Sequence, residues 1–214
     1  MKILITGTSR GIGLACAKKY IKEGHKVIGF DVNEAGFSAP SYTHMIVDIK
    51  GELPDIDGVE VLINNAGIQE GPGVIYTNLT ATMAVTEKYA FHKDIHSVLF
   101  MASSSASNGA EFPEYAASKG GVVTYMKNTA LRISKYGATA NSISAGGVYT
   151  PLNAHIMDDP VLMEKCLDET LLHRWASADE IADLSYFLTN VNRSMTGQDL
   201  LIDNGEQLKS DFIW

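Results

Sequence analysis

The chain has 214 residues, is 45% hydrophobic and carries a formal net charge of −8 with a pI near 5.2. Such a length supports one well-buried core rather than two. The acidic balance, with no run of Lys and Arg, excludes nucleic acid and anionic membrane surfaces as partners. Residues 1–7 reach a Thr-Gly turn too early for a signal-peptide core, and no apolar stretch approaches the ~18 residues of a membrane span. Cys16 and Cys166 lie far apart, with neither a disulfide framework nor zinc spacing. The sequence therefore reads as a cytoplasmic protein with two ordinary buried thiols.

Residues 2–6 form a short apolar run ending in a glycine-rich turn, after which Ile12, Ala15, Cys16, Tyr20 and Ile21 recur with helical spacing. That is strand, turn, helix. Gly24 stops the helix, and residues 26–30 supply a second strand closed by Asp31. Further apolar runs at 44–47, 59–64, 97–102, 139–143 and 199–202 are mostly separated by segments able to form helices, and 114–136 reads as one long helix. Strands apolar along their whole length and recurring between helices specify a parallel sheet covered on both faces. The expected fold is α/β: one doubly wound, Rossmann-type domain over residues 1–214. Residues 150–175, containing Asp158, Asp159 and Pro160, read as a mobile helical excursion. Ligands of such sheets collect at the carboxyl ends of the strands, where this excursion can act as a lid.

Thr6, Gly7, Gly11 and Gly13 form a Thr-Gly-x-x-x-Gly-x-Gly turn between first strand and first helix. There a pyrophosphate meets backbone N–H groups and the positive helix end, and glycines let the backbone come close. The alternative is a glycine turn serving only a tight connection. Asp31, 18 positions after Gly13, ends the second strand where a carboxylate can bind a ribose diol. An adenosine 2′-phosphate would meet that charge at close range, which favours NAD over NADP, although Arg10 in the turn partly offsets the repulsion. Asp48 is placed either to bind an adenine amino group or to cap a turn. Asn64, Asn65, Ala66 and Gly67 close the fourth strand, where they serve sheet and cofactor alike. Ser9, Ile12 and Ile49 complete the expected cofactor contacts at this end.

Tyr115 and Lys119, four residues apart, share one face of the long helix. A phenol titrates near ~10 and needs a neighbouring cation to act as an acid–base catalyst at neutral pH, which Lys119 is placed to supply. The same spacing also occurs on solvated helix faces, so the context decides. Ser103 opens a Ser-Ser-Ser run at the carboxyl edge of the fifth strand, where a hydroxyl can hold a substrate oxygen or merely cap a turn. Ala116, Ala117, Gly120 and Gly121 imply close packing against that helix.

Taken together, Thr6-Gly7-x-x-x-Gly11-x-Gly13, Asn64-Asn65-Ala66-Gly67, Asn78 in Asn-Leu-Thr, the serine run and Tyr115-x-x-x-Lys119 resemble the short-chain dehydrogenase/reductase family over nearly the full chain. Residues 174–182 and 196–205 look like its closing segments. The resemblance implies Tyr115 as general acid–base, Lys119 lowering its pKa and touching the nicotinamide ribose, and Asn78 holding a relay water. It implies Ser103, with Ser104 as competitor, orienting the substrate oxygen. It also implies contacts of Gly146, Val148 and Thr150 with nicotinamide, and a homodimer or homotetramer packed through helices such as 115–136. The apolar ending 211–214 is a second surface for a neighbour to bury. This sequence departs from the family in Ala145, where proline is common, and in a short 31–48 segment without room for a full helix.

The six histidines show no metal spacing, His92 and His96 reading as one exposed turn, so no metal is expected. The expected function is hydride transfer between NAD(H) and a small-molecule secondary alcohol or ketone. The competing readings are a dinucleotide sensor without turnover and an epimerase or dehydratase on the same scaffold.

Overall fold

A computed structural model describes residues 1–110 and 112–209, which leaves the reading of the 211–214 ending outside the described residues. Seven parallel strands form one sheet: β1 (Lys2–Thr6), β2 (Lys26–Asp31), β3 (Tyr42–Ile46), β4 (Val61–Asn64), β5 (Ser97–Met101), β6 (Thr139–Ala145) and β9 (Asp199–Ile202). They lie in the order β3-β2-β1-β4-β5-β6-β9. The chain runs outward from β1 to one edge, returns to β4 and proceeds to the other. That reversal opens a crevice at the carboxyl ends of β1 and β4.

Each sheet face buries a separate apolar layer. Helices α1 (Gly11–Lys22) and α7 (Ala178–Tyr186) cover one, with Ile3, Ile5, Val61, Ile63 and Leu99 beneath them. On the other face, α2 (Thr82–Tyr89) and α4 (Pro113–Ile133), the latter preceded by the single turn α3 (Ser105–Asn108), pack on Leu4, Leu62, Val98 and Phe100. Alternate residues of one strand thus supply both layers, which is why its whole length is apolar. A six-residue π-helical stretch, Tyr76–Ala81, leads into α2. The long helix ends at Ile133 and tightens into a 3₁₀ turn, Ser134–Tyr136, closed by Gly137 at φ +72°.

Neither β2–β3 nor β3–β4 is connected through a helix; residues 32–41 and 47–60 make those crossings as loops. The excursion contains a 3₁₀ turn, Pro151–Asn153, then α5 (Ala154–Met157) and α6 (Pro160–Asp168). A small second sheet pairs β7 (Val148–Tyr149) with β8 (Ala176–Ser177), tying both ends of the excursion together. Two expectations need correction. Cys166 is half-buried, because α6 buries none of its residues. His92 and His96 are also half-buried, His92 Nε2 meeting the Tyr89 carbonyl at 3.1 Å and His96 Nε2 meeting Arg193 at 3.1 Å.

Candidate active site

The carboxyl ends of β1, β2, β4 and β5 open into a cleft of about 330 Å³. Gly7, Arg10, Gly11 and Ile12 form its glycine-turn wall, Asp31, Asp48 and Ile49 one end, Asn65, Ala66 and Gly67 the centre, and Tyr115, Lys119 and Thr150 the other end. Thirteen of the expected site residues thus line one cavity. Ser9, Gly13, Asn78, Ser103, Gly146 and Val148 are not among the residues that line it.

The glycine turn is shaped by crossed hydrogen bonds. Asn65 Nδ2 donates to the carbonyls of Thr6 and Gly7 at 2.9 and 3.1 Å, while Thr6 Oγ1 accepts from the backbone N–H groups of Asn65 and Ala66, both at 3.0 Å. A Cβ at Gly13 would collide with the Gly7 carbonyl oxygen, and one at Gly7, which sits at φ +77°, would come within 2.7 Å of Asn65 Nδ2. Such a cradle fits a pyrophosphate, which needs backbone N–H groups at contact distance.

At the far end the Asp31 carboxylate accepts from Ser9 N at 2.9 Å and from Asn33 N and Nδ2 at 2.9 and 3.0 Å. Partial burial opposes its charge, but these donors outweigh that and hold it below the ordinary carboxylate range. Asp48 serves the turn reading and the cleft at once: its carboxylate accepts from Lys50 N at 3.0 Å while the residue lines the cavity.

At the catalytic end Lys119 is buried, and its ammonium donates to the Met101 carbonyl at 2.8 Å and lies 5.5 Å from the centre of the Tyr115 ring. Burial pushes its pKa from 10.5 down to about 8. The helical four-residue spacing thus brings phenol and ammonium to one wall. Asn78, also buried, forms a two-way clamp with Ile68: Oδ1 accepts from Ile68 N at 2.9 Å and Nδ2 donates to Ile68 O at 2.8 Å. The same Nδ2 reaches Ser118 Oγ at 3.0 Å, joining the π-helical stretch to α4. Ser103 Oγ accepts from Ser105 N and Oγ at 3.2 and 2.9 Å, and Ser104 O accepts from Gln207 Nε2 at 2.8 Å, so Ser103 is tied to its own segment after β5 and Ser104 to the turn after β9.

Gly146 packs against Asp203 and Glu206, Val148 is buried in β7 opposite Ala176 of β8, and Thr150 reaches back to within 3.5 Å of where a Gly11 Cβ would stand. Sequence reading missed Val32, Asn33, Lys50, Ile68 and Ala102 in the lining, though each immediately follows a strand or its first turn. The rule that ligands collect there was the available signal. A second, acid-rich hollow of about 560 Å³ is lined by Asn108, Asp168, Glu169, Glu206, Gln207 and Lys209.

Comparison with known proteins agrees with this fold. Residues 38–207 match a family profile described as enoyl-(acyl carrier protein) reductase, and residues 1–45 match the short chain dehydrogenase profile. A 3-oxoacyl-[acyl-carrier-protein] reductase of Buchnera aphidicola is 29% identical, the match covering 94% of this chain and 95% of that protein. A 4-hydroxyisoleucine dehydrogenase mutant complexed with NADH and succinate superposes with a TM-score of 0.87 at 24% identity, covering 99% of this chain and 100% of that one. A gluconate 5-dehydrogenase from Burkholderia cenocepacia, in complex with NADP and tartrate, gives 0.86 at 26% identity, covering 98% and 96%. No helix among the described residues is long and apolar enough to cross a membrane. The chain belongs to the short-chain dehydrogenase/reductase family of NAD(P)-dependent oxidoreductases.

Proposed function

We propose that the protein interconverts a secondary alcohol and its ketone with NAD as the preferred cofactor, using Tyr115, Lys119, Ser103 and Asn78. The observation that carries this is the buried Lys119 ammonium, fixed by the Met101 carbonyl and facing the Tyr115 ring at one end of the cleft. The nicotinamide supplies or accepts the hydride when bound. The protein's share is to place the reacting carbon and move a proton. In our reading the Tyr115 hydroxyl exchanges that proton with the substrate oxygen. The Lys119 charge stabilises the phenolate left behind, and in a site shielded from water that field acts at low dielectric. Ser103 holds the substrate oxygen, and Asn78, fixed by Ile68 and Ser118, organises the water through which a solvent proton returns to the Tyr115 phenolate by way of Lys119, which passes one proton on as it takes one up.

NAD preference rests on Asp31, whose carboxylate is held ionised at the end of β2 and would oppose a 2′-phosphate. Arg10 and Lys50 also line the cleft and supply the opposing attraction. We assign residues 150–175 as the substrate loop of a single domain over residues 1–214, and a homodimer or homotetramer built on α2 and α4, where Met83 and Leu131 stay exposed. We place its activity in the cytoplasm. Calorimetric titration with NADH and NADPH, followed by an absorbance screen of sugars, hydroxy acids and other secondary alcohols, tests the proposal. NADH binding tighter than NADPH binding, with alcohol-dependent NADH formation, is expected. Binding without turnover on any alcohol or ketone would overturn the assigned chemistry.

A further inference from the structure

A parallel connection between neighbouring strands ordinarily runs through a helix, which fixes the loop at each end. Between β2 and β3 there is none, and residues 32–41 are mostly exposed. Yet the Asp31 carboxylate at the start of this loop is held by three N–H groups, two of them from Asn33. What, then, holds Asn33?

The answer lies on β3. Tyr42 and His44 project from alternate positions of that edge strand to the same side. His44 Nε2 lies 2.9 Å from the Asn33 carbonyl, which can only accept, so this nitrogen carries the hydrogen. The Tyr42 hydroxyl lies 3.0 Å from the other ring nitrogen, Nδ1, and 2.9 Å from Thr8 Oγ1 inside the glycine turn, its one hydrogen serving one of these two contacts. Ser9 Oγ gives the Asn33 carbonyl a second donor at 3.2 Å. Phe37, midway along the loop, stacks on the Tyr42 ring with centroids 4.3 Å apart. Two glycines make room for the assembly. A Cβ at Gly29 would collide with Thr8 Oγ1 and the Tyr42 hydroxyl, and one at Gly36 with the Ser9 carbonyl, where the loop crosses the glycine turn.

We infer that Tyr42 and His44 are positioning residues for the cofactor's adenosine half, clamping the 32–41 loop to the glycine turn in place of a connecting helix. By this route they set the orientation of Asp31, and with it NADH affinity and the preference over NADPH. The inference rests on the cofactor reading of the cleft. Neither side chain lines the cavity, so both act through Asn33, Thr8 and Asp31.

Calorimetry on the wild-type protein and on Tyr42→Phe, His44→Ala and His44→Gln, each titrated with NADH, NADPH and ADP, tests it. Losing a hydrogen bond that orders the site is worth about 1.4 kcal/mol, a tenfold change in affinity. Tyr42→Phe and His44→Ala should therefore weaken NADH and ADP about tenfold. NADPH should lose less, because a 2′-phosphate then meets a less rigid carboxylate. His44→Gln, whose amide still donates to Asn33, should recover most of the loss. Added to Asp31→Ala, Tyr42→Phe should cost no further NADH affinity, since the group it positions is gone. Unchanged NADH affinity in both variants overturns the inference, as do equal losses for NADH and NADPH, which mark a purely structural role. If the wild-type protein binds neither dinucleotide nor ADP, the cofactor reading itself fails.

Discussion

The two sides of the cleft are built by opposite means. On the sheet side every residue of β4 and β5 is buried, and Ile3, Leu4 and Ile5 of β1 have no exposed surface. The glycine turn, Asn65, Tyr115 and Lys119 are mounted on these strands and on α1 and α4. On the excursion side α5 and α6 bury no residue, and Val161 and Leu172 are 67% and 61% exposed. An element with so few buried apolar contacts opens locally at little cost, whereas the central strands open only when the domain unfolds. The groups that hold cofactor and proton at fixed distances in our proposal sit on the first kind of element. Pro151 and Leu152, which close the cleft from the excursion, sit on the second.

The largest expected effect is chemical. Tyr115→Phe removes the proton but almost no shape, so kcat on the first alcohol identified should fall by about 10³-fold, the scale of lost general acid–base catalysis. NADH affinity by calorimetry should stay within about twofold, and a parallel collapse of affinity would show that the ring is structural. Next in size is a pH effect confined to the same wall. Burial depresses Lys119 from 10.5 to about 8, so between those values the unfolded chain holds a proton that the folded chain lacks. Stability therefore rises with pH across that window and is lost as pH falls through about 8, by about 3 kcal/mol in all. Urea unfolding of the wild type and Lys119→Met from pH 7 to 11 should show the wild type gaining on the variant as pH rises. A constant difference would mean that Lys119 is not desolvated.

The sheet side was also the legible side. β1 runs over the expected residues and β5 lies within one residue of the apolar run that announces it, because a strand buried on both faces leaves no polar positions to blur its limits; β2 and β9 match their apolar runs as closely, although they are more exposed. The motifs at Gly7–Gly13, Asn65–Gly67 and Tyr115–Lys119 converge because each follows directly from a central strand or lies on a helix packed against one. Elsewhere the pattern thins. The π-helical stretch holding Asn78 has no composition of its own; it depends on the Ile68 and Ser118 contacts, which are tertiary. The β7–β8 pair is too short for any periodicity to show. The Tyr42–His44 clamp was invisible because β3, half-exposed at the sheet edge, mixes polar and apolar residues, and an edge strand takes its character from what crosses it.

The contrast between the two sides can be tested with one substitution on each. Gly13→Ala adds a single methyl group where the Gly7 carbonyl already stands, both held by Asn65 and by the buried start of α1. Neither neighbour can give way without breaking the turn, so the variant should lose about 2 kcal/mol in urea unfolding, the usual scale of overpacking. NADH affinity should fall with it, because the displaced carbonyl and N–H groups form the cradle. Val161→Ser, at the second position of α6, removes a mostly exposed apolar group and should cost within about 0.5 kcal/mol, with NADH affinity unchanged. Its effect should appear only as a shift in KM for the alcohol, since in our proposal the excursion is the substrate loop and not part of the frame. Should Val161→Ser destabilise the protein as much as Gly13→Ala, the excursion is a cooperative part of the domain, and its exposed side chains are covered in solution by another subunit.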